Sequence, residues 1–307
     1  MKTICFIGKF NRICDEEGKA LALERLGHKV FRFDENSFNI ALGQDIDALM
    51  NRQPDYVFFT KLRVPYDHIL INELKKRNVK TVCWMPDLYI GLEREKDVAT
   101  LIPMFQADYV FSPDGGNQTI FDDYGVNHFI MHQGIHEGSC ELIEIPEEQK
   151  KIDLLFVGSL HPVHGSSREK LLGFLSKTYK KSFFWAGQNN TYDFRDTKLT
   201  KLISHTKIVI GTSVNSPYYW SNRLYETLGR GGFLIHQYTK GIDEEYKEND
   251  HFVTFKEGNF LDLKEKIDYW LKKGKERDII RKNAYDYTKE NHTLYHRAEK
   301  IMEIIYA

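Results

Sequence analysis

Two doubly wound α/β domains are the fold class the sequence predicts. Short β-rich apolar runs alternate with helical patterns over residues 1–136. The alternation stops at a polar, acidic stretch, then restarts at Ile152. Strand–helix alternation of this kind builds a parallel sheet with helices on both faces. A chain of 307 residues has the length of roughly two such domains.

In the first half, Thr3 to Gly8 (TICFIG) reads as a buried strand. Asp15 to Leu26 is helical, with Ala20, Leu23 and Leu26 on one stripe and Gly27 as its stop. His28 to Phe33 is the next strand. A short helix at Ile46–Asn51 precedes a strand at Tyr56–Thr60. Helix Asp67–Arg77 precedes strand Thr81–Met85. Then follow helix Asp97–Phe105, strand Tyr109–Ser112, helix Gly116–Tyr124 and strand His128–Met131.

Residues 137–151 (EGSCELIEIPEEQKK) are polar and acidic, and read as a linker. The second domain, 152–291, has expected strands at Asp153–Val157, Ser182–Ala186, Ile208–Gly211, Gly232–His236 and Phe252–Phe255. Helices are expected at Arg168–Ser176, Thr197–His205, Asn222–Leu228, Phe260–Lys272 and Asp278–Asn291, and residues 292–307 form a last helix. In doubly wound sheets ligands sit beyond the carboxyl ends of the strands, so two such domains are expected to share one central cleft.

Composition narrows the function. Lys plus Arg number 43 and Asp plus Glu 44, a formal charge of −1, which excludes a protein that coats nucleic acid by charge alone. With 41% apolar and 13% aromatic residues there is material for sizeable cores. No apolar run approaches the ~20 residues of a membrane helix. The start, MKTICFIGKFNR, lacks the longer apolar region and cleavage site of a signal peptide. A soluble, cytoplasmic protein is the expectation. Cys5, Cys14, Cys83 and Cys140 form no C-x-x-C pair, and Cys5 and Cys83 sit in strand-like runs as core thiols.

Three blocks carry chemistry. In the first, strand 153–157 runs into Gly158-Ser159, a small-residue loop (Gly165-Ser166-Ser167) and Arg168. Small residues let backbone N–H groups approach a phosphate, and Arg168 adds charge-assisted bonds. An ordinary strand–loop–helix join with Ser167 as cap fits equally. No Gly-Lys-Ser/Thr follows, so this is not a Walker A loop.

In the second block, Asn222-Arg223-Leu-Tyr-Glu226 opens a helix that ends at Gly229, Gly231 and Gly232. Arg223 suits a diphosphate, and the Glu226 carboxylate suits a pair of ribose hydroxyls. A surface i,i+3 ion pair between the two would need no ligand. Just before them, the aromatic run 217–220, which includes Tyr219, either stacks on a base or sugar or covers the core.

In the third block, Trp84-Met-Pro-Asp87 follows a strand. Asp87 at a carboxyl end suits a general base towards an acceptor hydroxyl, or an Asx-turn. Lys9 after the first strand and His136 at the end of the first half are further cleft candidates. Asp45-Ile-Asp47 reads as helix-start acid. His161 and His164 flank the small loop with no third metal ligand at suitable spacing. Lys61, Arg63, Lys75, Lys76, Arg77 and Lys80 form either a basic patch or a solvated helix face.

These residues together resemble GT-B glycosyltransferases. The resemblance rests on two Rossmann-like halves, Leu26-Gly-His-Lys-Val30 entering the second strand, Gly158-Ser159, and the Arg223…Glu226…Gly231-Gly232 block. Within that fold, Ser221-Asn222-Arg223-Leu224-Tyr225-Glu226 and the Trp84…Asp87 turn look like the CgeB-like (spore maturation protein) group. A remoter likeness is to phage T4-type DNA β-glucosyltransferase. The resemblance implies a nucleotide-sugar donor, UDP-sugar favoured, held by the second domain through Gly158, Ser159, Arg168, Tyr219, Asn222, Arg223 and Glu226. It implies an acceptor on the first domain, no catalytic metal, and a final helix that crosses back onto the first domain. The T4-type likeness further implies inversion with Asp87 as base. The retaining GT-B group has an acidic pair eight residues apart, whereas Tyr218 stands eight before Glu226. A two-domain nucleotide-sugar epimerase, a non-catalytic nucleotide- or sugar-binding module and a DNA-modifying transferase are the alternatives.

Overall fold

The computed structural model describes residues 1–10, 15–37, 44–61, 67–90, 103–160, 165–187 and 196–307. They form two compact units. Unit 1 is Met1–His136 with Leu294–Ala307, and unit 2 is Glu137–Thr293.

Unit 1 contains strands β1 (Thr3–Gly8), β2 (Lys29–Asp34), β3 (Tyr56–Phe59), β4 (Lys80–Trp84), β5 (Tyr109–Ser112) and β6 (His128–Ile130). All pair in parallel, in the order β2-β1-β3-β4-β5-β6, so the winding reverses between β1 and β3. Helices α1 (Asp15–Arg25), α2 (Gln44–Met50), α3 (Asp67–Lys76) and α4 (Gln118–Asp123) connect them. Because side chains alternate along a strand, Cys5 and Ile7 enter one core with Val57, Phe59, Leu70 and Leu74, while Ile4 and Phe6 enter the opposite one. A parallel sheet is covered on both faces, which is why TICFIG reads as a nearly continuous apolar run.

Unit 2 contains β7 (Ile152–Val157), α5 (Gly165–Tyr179), β8 (Phe183–Ala186), α6 (Asp196–Ser204), β9 (Thr206–Gly211), α7 (Arg223–Leu228), β10 (Leu234–Gln237), α8 (Ile242–Glu245), β11 (Val253–Phe255), α9 (Phe260–Trp270) and α10 (Gly274–Asn291). Its five strands are parallel in the order β11-β10-β9-β7-β8, reversing between β7 and β9. Leu154, Ile208, Ile210, Ile235 and Val253 pack on Leu171, Leu175, Leu263, Ile267 and Ile280 of the covering helices.

The last helix, α11 (Leu294–Tyr306), belongs to unit 1. Its Leu294, Ala298, Ile301, Met302 and Ile305 complete the core that holds Ile4, Phe6, Ala20 and Leu23.

Some expectations change. The polar stretch 137–151 lies inside unit 2 rather than outside both units. Glu144 pairs with Arg281 (2.5 Å) and Lys282 (3.0 Å), and Glu147 with Lys150 (3.2 Å) and buried Arg277. Helix α8 was not expected. Of the expected helix Asp97–Phe105, only the end is described, as a 3₁₀ turn at Pro103–Gln106. The rest lies outside the described residues, as do Cys14, Arg63, His161 and His164. Cys5 and Cys83 are buried, Cys140 is half-buried, and no disulfide joins them.

Candidate functional site

In unit 2 the carboxyl ends of β7 and β9 flank the reversal of winding, the position at which open α/β sheets bind ligands. Arg223, the first residue of α7, spans it. Its Nε donates to the Val157 carbonyl at 2.7 Å. Its Nη1 donates to the Thr212 carbonyl at 2.8 Å and to Ser221 Oγ at 3.3 Å. Gly158 is the residue that lets this happen. It has φ +145°, and a Cβ there would stand 2.7 Å from Arg223 Nη2. Its N–H donates to the Ala186 carbonyl, and its own carbonyl accepts from Trp185 Nε1, both at 2.8 Å.

Arg168 lies in the first turn of α5 rather than opening it. It is buried, and its Nη1 donates to the Ser159 carbonyl at 3.1 Å. The Phe156 ring lies beneath both guanidiniums, 4.4 Å from that of Arg223 and 5.8 Å from that of Arg168, a placement that favours cations. Among the described residues neither arginine has an acidic partner. Burial, with the charge of Arg168 alongside, pushes Arg223 down to about 9. Burial pushes Arg168 down to about 10, against the opposing influence of Tyr219. Two cations held together without a counter-ion penalise one another, and an anion bound there would relieve that penalty.

A polar chain supports the segment ahead of Arg223. The Ser221 N–H donates to Ser213 Oγ at 2.8 Å, and Ser213 Oγ lies 3.4 Å from His236 Nε2. His236 Nδ1 lies 2.6 Å from the Gln237 carbonyl, so Nδ1 carries the proton and Nε2 accepts from Ser213. Burial holds this imidazole down at about 4.

Arg223 does not pair with Glu226. Glu226 Oε2 is held by Arg230 at 2.9 Å, and its Oε1 lies 3.5 Å from Asn222 Nδ2. The Asn222 Oδ1 is buried with no hydrogen-bond partner. Tyr219 is half-buried, with its N–H on the Ser216 carbonyl at 3.2 Å.

In unit 1, Asp87 is exposed on the turn that follows β4. The turn is fastened at both ends. Buried Lys19 donates to the Trp84 carbonyl at 3.0 Å, and Gln133 donates to that of Pro86. Asp114 Oδ1 accepts from the N–H groups of Tyr89 (2.9 Å) and Ile90 (2.8 Å). Asp114 Oδ2 accepts from Ser112 Oγ at 2.8 Å, which lies 2.9 Å from His128 Nε2. Burial raises Asp114 to about 6, with the nearby charge of Asp87 adding to the rise, and burial lowers His128 to about 4.

Of the other unit 1 candidates, Lys61 lies over the Tyr89 ring at 4.8 Å, while the described contacts of Lys9 and His136 lie elsewhere. Lys9 pairs with Glu35 at 3.3 Å. His136 packs against Gly18, and its Nδ1 is buried with no hydrogen-bond partner. Three members of the expected basic patch have acidic partners. Lys76 pairs with Glu73, Arg77 with Asp47 and Lys80 with Asp108, and Lys75 donates to the Gln106 carbonyl. Asp45 and Asp47 lie in the first turn of α2. Among the described residues no three His, Cys, Asp or Glu side chains are grouped to hold a metal, and no helix is long and apolar enough to cross a membrane.

Sequence reasoning missed Phe156, Thr212, Arg230 and Asp114. Arg230 stands four residues after Glu226, the spacing of a helical ion pair, and Asp114 follows a strand end within Ser-Pro-Asp. Those spacings were the available signals.

A family model described as glycosyl transferase-like matches residues 147–303. No curated protein sequence matches the chain. Among solved structures, the chain is similar to a glycosyltransferase from Rickettsia africae (14% identity, 99% of this chain and 97% of that one, TM-score 0.63). It is also similar to a sucrose-phosphate synthase from Thermosynechococcus elongatus (11%, 100% and 98%, TM-score 0.66). A third similar structure is Anabaena HepE in complex with UDP (14%, 100% of both chains, TM-score 0.67). The two Rossmann-like units thus match the GT-B fold.

Proposed function

The chain belongs to the glycosyl transferase-like family, and from that premise we propose that it moves a sugar from UDP to an acceptor hydroxyl. The observation that carries the donor reading is the pair of arginines, Arg223 and Arg168, without acidic partners among the described residues, at the winding reversal of unit 2. The likeness to HepE, solved with UDP, favours uracil as the base. The finer kinship favoured is the CgeB-like group, on Ser221 to Glu226 and the Trp84…Asp87 turn.

In this reading the diphosphate lies against Arg223, Arg168 and the Gly158-Ser159 backbone, with Tyr219 and Asn222 beside it. Glu226 accepts from the ribose hydroxyls. As the bond from the sugar's anomeric carbon to the diphosphate breaks, UDP leaves with the electron pair, and the two guanidiniums stabilise the growing charge. The acceptor oxygen forms the new bond with inversion, and its proton passes to Asp87. The arginines supply the positive charge, so the reaction is proposed to need no metal.

The test is a thermal-shift titration of the purified protein with UDP and UDP-glucose, with and without EDTA, followed by turnover of UDP-glucose against a panel of acceptors. A ligand that binds only the folded state raises the melting temperature. An EDTA-insensitive shift that disappears in Arg223→Ala is expected. No shift with either nucleotide would sink the donor assignment, and loss of activity with EDTA would sink the metal-free mechanism.

A further inference from the structure

Glu226 is gripped from behind. Arg230 is only 3% exposed, and both its Nε and its Nη2 lie 2.9 Å from a single oxygen of Glu226, Oε2. The third guanidinium nitrogen, Nη1, is fastened elsewhere, to the Asp196 carbonyl at 3.0 Å and to Thr200 Oγ1 at 2.6 Å, both on α6. A planar fork fixed on three sides has one orientation, so it fixes the position of Oε2 and, with the backbone of α7, narrows where Oε1 can turn. Among the described residues the other oxygen, Oε1, has only the 3.5 Å approach of Asn222 Nδ2, at the outer limit of a hydrogen bond, and the Glu226 side chain keeps 27% of its surface exposed. One oxygen is therefore committed to the protein and the other is offered outward.

We infer that Arg230 is the positioning residue that turns Glu226 Oε1 towards the nucleotide sugar, and that it thereby sets the preference of this site for ribose over deoxyribose. The inference rests on the assignment of Glu226 to the ribose. Arg230 itself touches no ligand. A lysine at this position would keep the charge but not the fork, so it could neutralise Oε2 without holding it in one position.

The experiment is calorimetric titration with UDP and with 2′-deoxy-UDP of the native protein and of Glu226→Gln, Arg230→Met and Arg230→Lys. The native protein is expected to bind 2′-deoxy-UDP roughly 10- to 100-fold more weakly, the worth of a hydrogen bond to a charged group. In Arg230→Met that ratio should shrink to within about threefold, through weaker UDP binding with 2′-deoxy-UDP nearly unchanged, and Arg230→Lys should fall between. A merely structural Arg230 would weaken both nucleotides alike and leave the ratio intact, and that result overturns the inference. Should Arg230→Met fail to fold, Thr200→Val removes the 2.6 Å anchor of Nη1 and should narrow the ratio in the same sense. An unchanged ratio there also overturns it. Failure of the underlying reading looks different. UDP does not bind, the native protein does not discriminate, or Glu226→Gln leaves the ratio intact. If Glu226→Gln collapses the ratio and the Arg230 variants do not, only the role of Arg230 fails.

Discussion

Gly158 lies so close beneath Arg223 that any β-carbon would come within 2.7 Å of the guanidinium Nη2. The two residues are 65 positions apart in the sequence, yet the place Arg223 takes requires the absence of a side chain at 158. Gly158→Ala should therefore fail twice. Its φ of +145° becomes strained, at a cost of about 1–3 kcal/mol, and Arg223 is pushed off the Val157 carbonyl. A lower melting temperature together with at least tenfold weaker UDP binding is expected. Native-like UDP affinity in this variant would show that Arg223 has no part in binding.

Arg223 and Arg168 should separate stability from binding. Arg223 closes two strand-end carbonyls, so Arg223→Met should lose about 1–3 kcal/mol of stability as well as UDP affinity. Arg168→Met removes a buried cation that repels its neighbour, so it should leave the melting temperature nearly unchanged while weakening UDP by about tenfold or more. Denaturant melts beside calorimetry read both quantities. An equal loss of stability in the two variants would contradict the uncompensated-charge account.

Asp87→Asn should abolish transfer without touching the donor. The side chain is exposed and the turn is held by other residues, so the fold should persist. Turnover is expected to fall by about 10²–10⁴-fold, the usual contribution of a general base, with UDP affinity unchanged within about twofold. Undiminished turnover would remove Asp87 from the mechanism.

Acid should weaken unit 2 through His236. Its folded pKa lies near 4, below the ordinary 6.5, so its contribution is fully present above pH 6.5 and is lost as pH falls through 4. His128 in unit 1 behaves likewise. There Asp114, raised from 3.8 to about 6, contributes in the opposite sense, with stability present at low pH and lost as pH rises through 6. Melting temperature should therefore fall between pH 6.5 and 4, and His236→Gln should flatten the fall. A parallel decline in both proteins would refute this.

The parallel strands were legible because burial on both faces leaves near-continuous apolar runs, as in TICFIG and IDLLFV. Their carboxyl ends were legible too, and with them Gly158, Asp87 and Arg223 as site candidates. Partners distant in sequence were not. The spacing of Arg223 and Glu226 suggested a pair, yet Arg223 turns to Val157 and Thr212 while Glu226 turns to Arg230. The same blindness made residues 137–151 read as a polar linker, because the arginines that hold Glu144 and Glu147 come 137 and 130 positions later.

Unit 2 is an uninterrupted stretch of chain, while unit 1 is closed by α11, which follows unit 2 in the sequence. During translation unit 2 has its whole sequence while unit 1 still lacks Leu294, Ala298, Ile301, Met302 and Ile305 from its core. Unit 1 starts before unit 2 and is completed after it. A ribosome-stalled chain ending at Thr293 should accordingly show a protease-resistant unit 2 attached to a cleavable residue 1–136 segment. Release of a few further turns of helix converts that segment from a liability for the chaperone machinery into a folded domain.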